Sequence, residues 1–162
     1  MRDKARSFAI QAHGDQRYGS FPYSVHLDEV AKIASEYGEE AEVIAYLHDV
    51  IEDTDVRAEE IEASFGEFVS RCVSILSDEP GETRKIRKSA TYQKMSRVSG
   101  SEELALLVKA ADRLANMRAC LRSGDEEFLN MYRAEHEVFR KSAYRPNLCE
   151  SIWSEIEAIQ NA

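Results

Sequence analysis

Cysteine is scarce in this 162-residue chain. Cys72, Cys120 and Cys149 are odd in number, far apart and without a Cys-x-x-Cys pair. That argues against a disulfide frame or a thiolate zinc site and reads as reduced thiols in a cytoplasmic protein. Basic residues are also short: 21 Lys and Arg against 30 Asp and Glu leave a net charge of −9. A nucleic-acid partner is therefore not expected, because phosphate neutralisation needs a basic surface. No apolar run approaches a membrane span, and Met1-Arg2-Asp3-Lys4 leads into no signal-peptide core, so no membrane partner is expected either. Sustained strand alternation, internal repeats and low-complexity tracts are all missing. Only seven Gly and three Pro interrupt the chain.

What remains is helical spacing. Apolar residues recur at helical intervals over residues ~3–13, ~25–37, ~40–52, ~58–64, ~67–77, ~83–98, ~101–122, ~126–143 and ~147–160. Gly14 to Tyr23 reads as a loop, Ser24 as a cap for the second helix, and Gly38, Gly66, Gly100 and Gly124 as stops. The expectation is an all-α bundle of roughly eight or nine helices forming one domain over residues 1–162. The tail, with Ile152, Trp153 and Ile156 at helical spacing, reads as a cap on the bundle or a subunit contact, so monomer and homodimer both stay open.

The densest chemistry lies in Leu47-His48-Asp49-Val50-Ile51-Glu52-Asp53-Thr54. On a continuous helix His48, Asp49, Glu52 and Asp53 share an arc of roughly 140°. Imidazole and carboxylate ligate divalent cations, and spare carboxylates beside a cation can move protons. An acidic solvent face explains the same pattern. His26 could add a second imidazole or be a core histidine bonded to backbone. Lys109, Asp112 and Asn116 share an arc of about 60° beside an apolar stripe, where an unpaired carboxylate is costly. A cation would relieve that cost, and so would a surface pair of Asp112 with Lys109 or Asn116. Between Glu82 and Arg97 stand six basic residues and one acidic. This run is either a solvated face or a field for a small polyanion such as pyrophosphate, with Arg84 and Lys88 the candidate contacts. Arg17 and Tyr18 in the first loop could stack on a purine base. His13 and His136 read as structural or surface residues.

Taken together, His26, His48-Asp49 and Asp112 resemble the H…HD…D metal signature of the HD-domain superfamily. Ala12-His13-Gly14-Asp15-Gln16-Arg17, Pro22-Tyr23-x-x-His26, Leu47 to Thr54, Phe65-Gly66 and Lys109-x-x-Asp112-Arg113-Leu114-x-Asn116-Met117-Arg118 follow in the order and spacing of RelA/SpoT-type alarmone hydrolase domains. The likeness covers residues ~5–145 and leaves no room for the synthetase and regulatory domains of the long enzymes, so a single-domain small alarmone hydrolase is expected. The resemblance implies an all-α fold, one divalent cation, usually Mn²⁺, and removal of the 3′-pyrophosphate from guanosine tetra- or pentaphosphate by metal-activated water. It implies His26, His48, Asp49 and Asp112 as metal ligands and Glu52 and Asp53 as the pair that orients water and handles protons. Arg17 then packs on guanine and Asn116 contacts the nucleotide, while Lys109, Arg84 and Lys88 neutralise the pyrophosphate.

The chain also departs from that pattern. Tyr18 stands where a second basic residue is common, the loop before Arg17 is one residue shorter, Leu27 replaces a proline, and Ala119 replaces a threonine. A metal-dependent phosphatase of another nucleotide, such as a 2′- or 3′-phosphorylated dinucleotide, and a non-catalytic alarmone sensor are the competing readings.

Overall fold

The computed structural model describes residues 1–162. The chain forms ten α-helical segments and one two-stranded hairpin. They run α1 (Arg2–His13), β1 (Arg17–Tyr18), β2 (Phe21–Pro22), α2 (Ser24–Ala34), α3 (Glu39–Leu47), α4 (Val50–Asp53), α5 (Ala58–Phe65), α6 (Glu67–Leu76), α7 (Arg84–Ser96), α8 (Glu103–Ser123), α9 (Glu126–Ala143) and α10 (Glu150–Gln160). Short 3₁₀ turns, Ser35–Tyr37 and Gly100–Glu102, extend α2 and precede α8. The all-α expectation holds, with the hairpin as its small exception. No helix is long and apolar enough to cross a membrane.

The bundle is built around α8. Leu106, Leu107, Val108, Leu114 and Met117 are buried on it, but so are Ala105, Ala110, Ala111 and Ala115 on its other sides. A helix buried all round needs neighbours all round, and α2, α3, α6, α9 and α10 supply them. The four alanines let those neighbours approach closely. A left-handed residue must end such a long helix before the chain reverses into α9. Gly124 takes that conformation at φ 71°, ψ 26°, where a side chain would be strained.

Arg113 clasps three helices together. It lies over the rings of Tyr132 (4.7 Å) and Phe139 (4.2 Å) on α9 and donates to the hydroxyl of Tyr92 on α7 and to Glu135 on α9, both at 3.1 Å. Glu135 also receives Arg84 from α7 at 2.9 Å. Cys72, Cys120 and Cys149 are unpaired and buried.

Three local expectations change. Ser24 is the first residue of α2 and makes no capping bond; Tyr23 occupies the cap position. The carbonyl of Tyr23 takes the N–H groups of His26 and Leu27 at 3.0 and 3.2 Å, so the helix start needs no serine hydroxyl. The loop of residues 14–23 contains the antiparallel pairs Arg17↔Pro22 and Tyr18↔Phe21, too short to leave an alternating pattern. The helix expected over ~40–52 breaks at His48-Asp49. There His48 Nδ1 bonds the Ala45 carbonyl at 2.6 Å, and Asp49 sits at φ −104°, ψ 0°, outside the helical region. The single 140° arc therefore does not exist as one helix face.

Leu106 is fully buried in the first turn of α8. Leu106→Ala should destabilise the fold by about 2–5 kcal/mol through lost burial and the cavity left behind. Urea unfolding should show a lower midpoint with an unchanged slope.

Candidate metal centre

Three segments carry the site. His26 projects from the first turn of α2, His48 and Asp49 from the break between α3 and α4, and Asp112 from the middle of α8. His26 and His48 are about 2% and 1% exposed, and Asp112 is 8% exposed. His26 Nε2 and His48 Nε2 face each other at 3.3 Å. Asp49 Oδ2 lies 2.9 Å from His48 Nε2 and 3.8 Å from His26 Nε2. Asp112 Oδ1 lies 3.2 Å from His26 Nε2 and 3.5 Å from His48 Nε2.

These separations fit a shared cation. Ligand atoms about 2.1 Å from one ion stand ~3.0 Å apart at an octahedral edge and ~3.4 Å apart at a tetrahedral one. His26, His48 and Asp49 alone already form a group able to hold a metal ion. The His48 ring is turned the right way to ligate, because Nδ1–H is directed at the Ala45 carbonyl and the Nε2 lone pair therefore faces inward. Tyr23 OH donates to Asp49 Oδ2. Asn116 Nδ2 donates to Asp112 Oδ1 at 2.8 Å, and Lys109 Nζ lies 3.5 Å from Asp112 Oδ2.

The electrostatics point the same way. Burial disfavours a charged carboxylate at Asp112, but Lys109 and the two histidines overcome it and hold the group well below the usual carboxylate range. Burial acts likewise on Asp49 and is outweighed by His48. Burial also disfavours an imidazolium at His48, yet Asp49 and Asp112 raise its affinity for a proton well above the ordinary histidine value. Lys109, buried as an ammonium, is raised by Asp112, Asp49 and Glu52. The cluster thus demands positive charge at its centre.

Glu52 and Asp53 stand at the rim on α4, both open to solvent. Glu52 Oε1 accepts the backbone N–H of Asp78 at 2.6 Å, which leaves Oε2 free of protein partners. Surrounding protein raises the Glu52 carboxyl, and the charge of Asp49 raises it further against the pull of Lys109. Asp53 Oδ2 accepts from Gln16 Nε2 at 2.9 Å, and Gln16 Oε1 pairs with His13 Nδ1 at 2.8 Å.

The other candidates are less concentrated. Tyr18 reaches the centre: its ring stacks on His26 at 4.6 Å and 15°, and its hydroxyl donates to Asn116 Oδ1 at 2.6 Å. Arg17 is exposed on the hairpin and bonds the Ser20 carbonyl. Lys88 pairs with Asp78 at 2.8 Å, which ties it to Glu52 through the Asp78 backbone. Arg84 is bound to Glu135, away from the four donor atoms. Both basic side chains line a groove of about 790 Å³ between α7 and α9. His13 packs on Tyr23 with ring centroids 4.5 Å apart, and His136 pairs with Glu157 at 3.0 Å near Trp153. Both are structural. Four outer residues were given no role at the site from sequence: Tyr23, Gln16 and His13, which stood only within the quoted motifs, and Asp78. Tyr23 had a readable signal, since it lies three residues, just under one helical turn, before His26. Asp78 had none, because only the fold brings it to Glu52.

A family model described as HD domain matches residues 5–146. Among curated proteins, a guanosine-3′,5′-bis(diphosphate) 3′-pyrophosphohydrolase of Aquifex aeolicus is 31% identical over 95% of this chain, and the chain spans 22% of that relative's length. The Danio rerio protein MESH1, which carries the same enzyme name, is 38% identical over 69% of this chain and 64% of its own length. A solved structure described as a metazoan ortholog of SpoT that hydrolyses ppGpp superposes with a TM-score of 0.83 at 26% identity, covering 99% of this chain and 93% of that one. A Listeria monocytogenes structure shares the fold at a TM-score of 0.69 and 21% identity, over 86% of this chain and 94% of its own. With its matched residues, its helical architecture and its histidine–aspartate centre, the chain belongs to the HD domain family.

Proposed function

We propose that this chain is a single-domain, metal-dependent hydrolase that removes the 3′-pyrophosphate from guanosine tetra- or pentaphosphate. The observation that carries the reading is the cluster of His26, His48 and Asp49 within 2.9–3.8 Å of one another, with Asp112 Oδ1 at 3.2 and 3.5 Å from the two histidines, beside a carboxylate of raised pKa. The relatives in Aquifex and Danio, named for this reaction, and the similar SpoT ortholog support the choice of substrate. We assign Mn²⁺ as the cation, because two imidazoles with two carboxylates suit a metal of intermediate hardness. The compartment assigned is the cytoplasm, which keeps three unpaired thiols reduced.

The bound cation would polarise a phosphoryl oxygen and lower the pKa of water beside it. Glu52, through its free Oε2, takes a proton from the attacking water, and its raised pKa makes it a stronger base for that transfer. The proton taken by Glu52 then passes to the departing ribose 3′ oxygen, either from Glu52 itself or relayed through Asp53, which Gln16 holds in place. Lys109 stays charged and offsets the phosphate charge from the floor of the site. Lys88 and Arg84 meet the outer phosphates while keeping Asp78 and Glu135, since Arg84 Nη1 has no protein partner and an ammonium has three donors. Arg17 packs on the guanine from the hairpin, with Tyr18 and Asn116 beside the ribose. The products are pyrophosphate and guanosine 5′-di- or triphosphate.

Incubation with guanosine tetraphosphate and Mn²⁺, with products resolved by chromatography, tests the reaction. Release of pyrophosphate supports it; release of inorganic phosphate, or tight binding without turnover, replaces it with a phosphatase or a sensor. Asp49→Ala should lose both Mn²⁺ and turnover, whereas Glu52→Gln should keep Mn²⁺ and lose about 10²–10⁴-fold in kcat. Full activity in Glu52→Gln would remove that residue from the mechanism. Because His48 holds its proton tightly without a cation, Mn²⁺ must displace it. Calorimetry near pH 7 in buffers of different ionisation enthalpy should therefore report proton release, and the Mn²⁺ affinity should fall as pH is lowered.

A further inference from the structure

We infer that Tyr18 is a positioning residue for the cation site, holding His26 by stacking and Asp112 through Asn116. The inference rests on the four-donor reading above and concerns this chain's own way of keeping two of the donors in place.

His26 lacks a conventional anchor. A histidine that ligates a metal almost always donates its other ring N–H to a carbonyl, carboxylate or water. His48 does so through the Ala45 carbonyl. His26 Nδ1 is buried and has no hydrogen-bond partner, so no such bond sets its ring angle. The ring is instead enclosed by aromatic faces. Tyr18 lies nearly parallel at 4.6 Å and 15°, Tyr23 at 5.5 Å and 58°, and His48 edge-on at 5.2 Å and 66°. Tyr23 is already committed to Asp49 through its hydroxyl. The one broad face against His26 is therefore that of Tyr18.

The same side chain acts on the opposite donor. Its hydroxyl donates to Asn116 Oδ1 at 2.6 Å. An amide whose oxygen is fixed presents its nitrogen on the other side, and Asn116 Nδ2 donates to Asp112 Oδ1 at 2.8 Å. That oxygen is the one facing both histidines. Without the phenol the amide is free to rotate and to turn its carbonyl toward a carboxylate. Lys109 contacts only Asp112 Oδ2, and at 3.5 Å, so it does not fix Oδ1. Tyr18 thus links a surface hairpin to two donor atoms contributed by two different helices.

Mn²⁺ titration calorimetry on the full chain without nucleotide tests this, and needs no turnover. Tyr18→Phe keeps the ring and removes the hydroxyl; it should weaken Mn²⁺ binding about 10-fold, within the range for outer-shell partners of a metal site. Tyr18→Leu, which also removes the stack, should weaken it further. In an Asn116→Ala background Tyr18→Phe should have almost no added effect, because the relay is already cut. A wild-type Mn²⁺ affinity in Tyr18→Phe, with or without a lowered melting temperature, overturns the inference. So does an undiminished loss in the Asn116→Ala background. If Tyr18→Leu fails to fold, the Tyr18→Phe cycle decides alone. No Mn²⁺ binding by the wild-type chain would remove the metal centre and this inference with it, whereas Mn²⁺ binding without alarmone hydrolysis would leave the inference standing and displace only the substrate.

Discussion

Two carboxylates on a bundle of apolar helices, Asp112 buried and Asp49 partly buried, set the terms for the rest of the structure. Asp49 and Asp112 lie beside two imidazoles that are almost fully buried. Burial alone would drive both carboxyls toward their neutral forms. Lys109 and the histidines prevent that, and in doing so they mark the centre as a place that requires positive charge. A proton on His48 meets the requirement in part, and a divalent cation meets it more fully. The cost of uncompensated burial explains why a lysine sits inside the most buried helix of the chain.

Around this centre, each candidate donor is held by something different. Backbone holds His48, a phenol holds Asp49, an amide and an ammonium hold Asp112, and aromatic packing holds His26. The supports come from the hairpin, from the residue that caps α2, and from α3 and α8, so no single helix could build the site. The break between α3 and α4 serves the same end. It turns Glu52 and Asp53 onto a separate short segment at the rim, where one is fixed by Asp78 and the other by Gln16. A straight helix would have placed all four polar groups on one face, with no division between the enclosed His48-Asp49 pair and the exposed carboxylates of Glu52 and Asp53.

The basic helix α7 shows how local charge is moderated. Arg84 is held by Glu135, Lys88 by Asp78 and Lys94 by Glu79. These pairs are partly exposed and contribute little to stability individually. Their effect is to let an acidic protein carry one basic helix without leaving these cations unpaired. Arg113, by contrast, is buried against two rings and knits α7 to α8 and α9, which fixes that helix relative to the core.

Helical spacing determined by itself that the chain is all-α and where most helices start and stop, because apolar periodicity and glycine stops are local properties. Residue chemistry left structural alternatives open for His26 and Asp112, and it was the resemblance to the alarmone hydrolase motifs that singled out the four candidate donors and the Glu52-Asp53 pair. The break at His48-Asp49 was not legible, since it comes from a histidine side chain taking a carbonyl of its own helix, and helical periodicity persists across it. The small hairpin left no pattern because two residues per strand cannot alternate. Asp78 beside Glu52, Tyr18 against His26 and Glu135 on Arg84 join residues between 8 and 51 positions apart. Only the packing of the bundle decided those contacts, because nothing in a local stretch of sequence encodes which distant surface will face it.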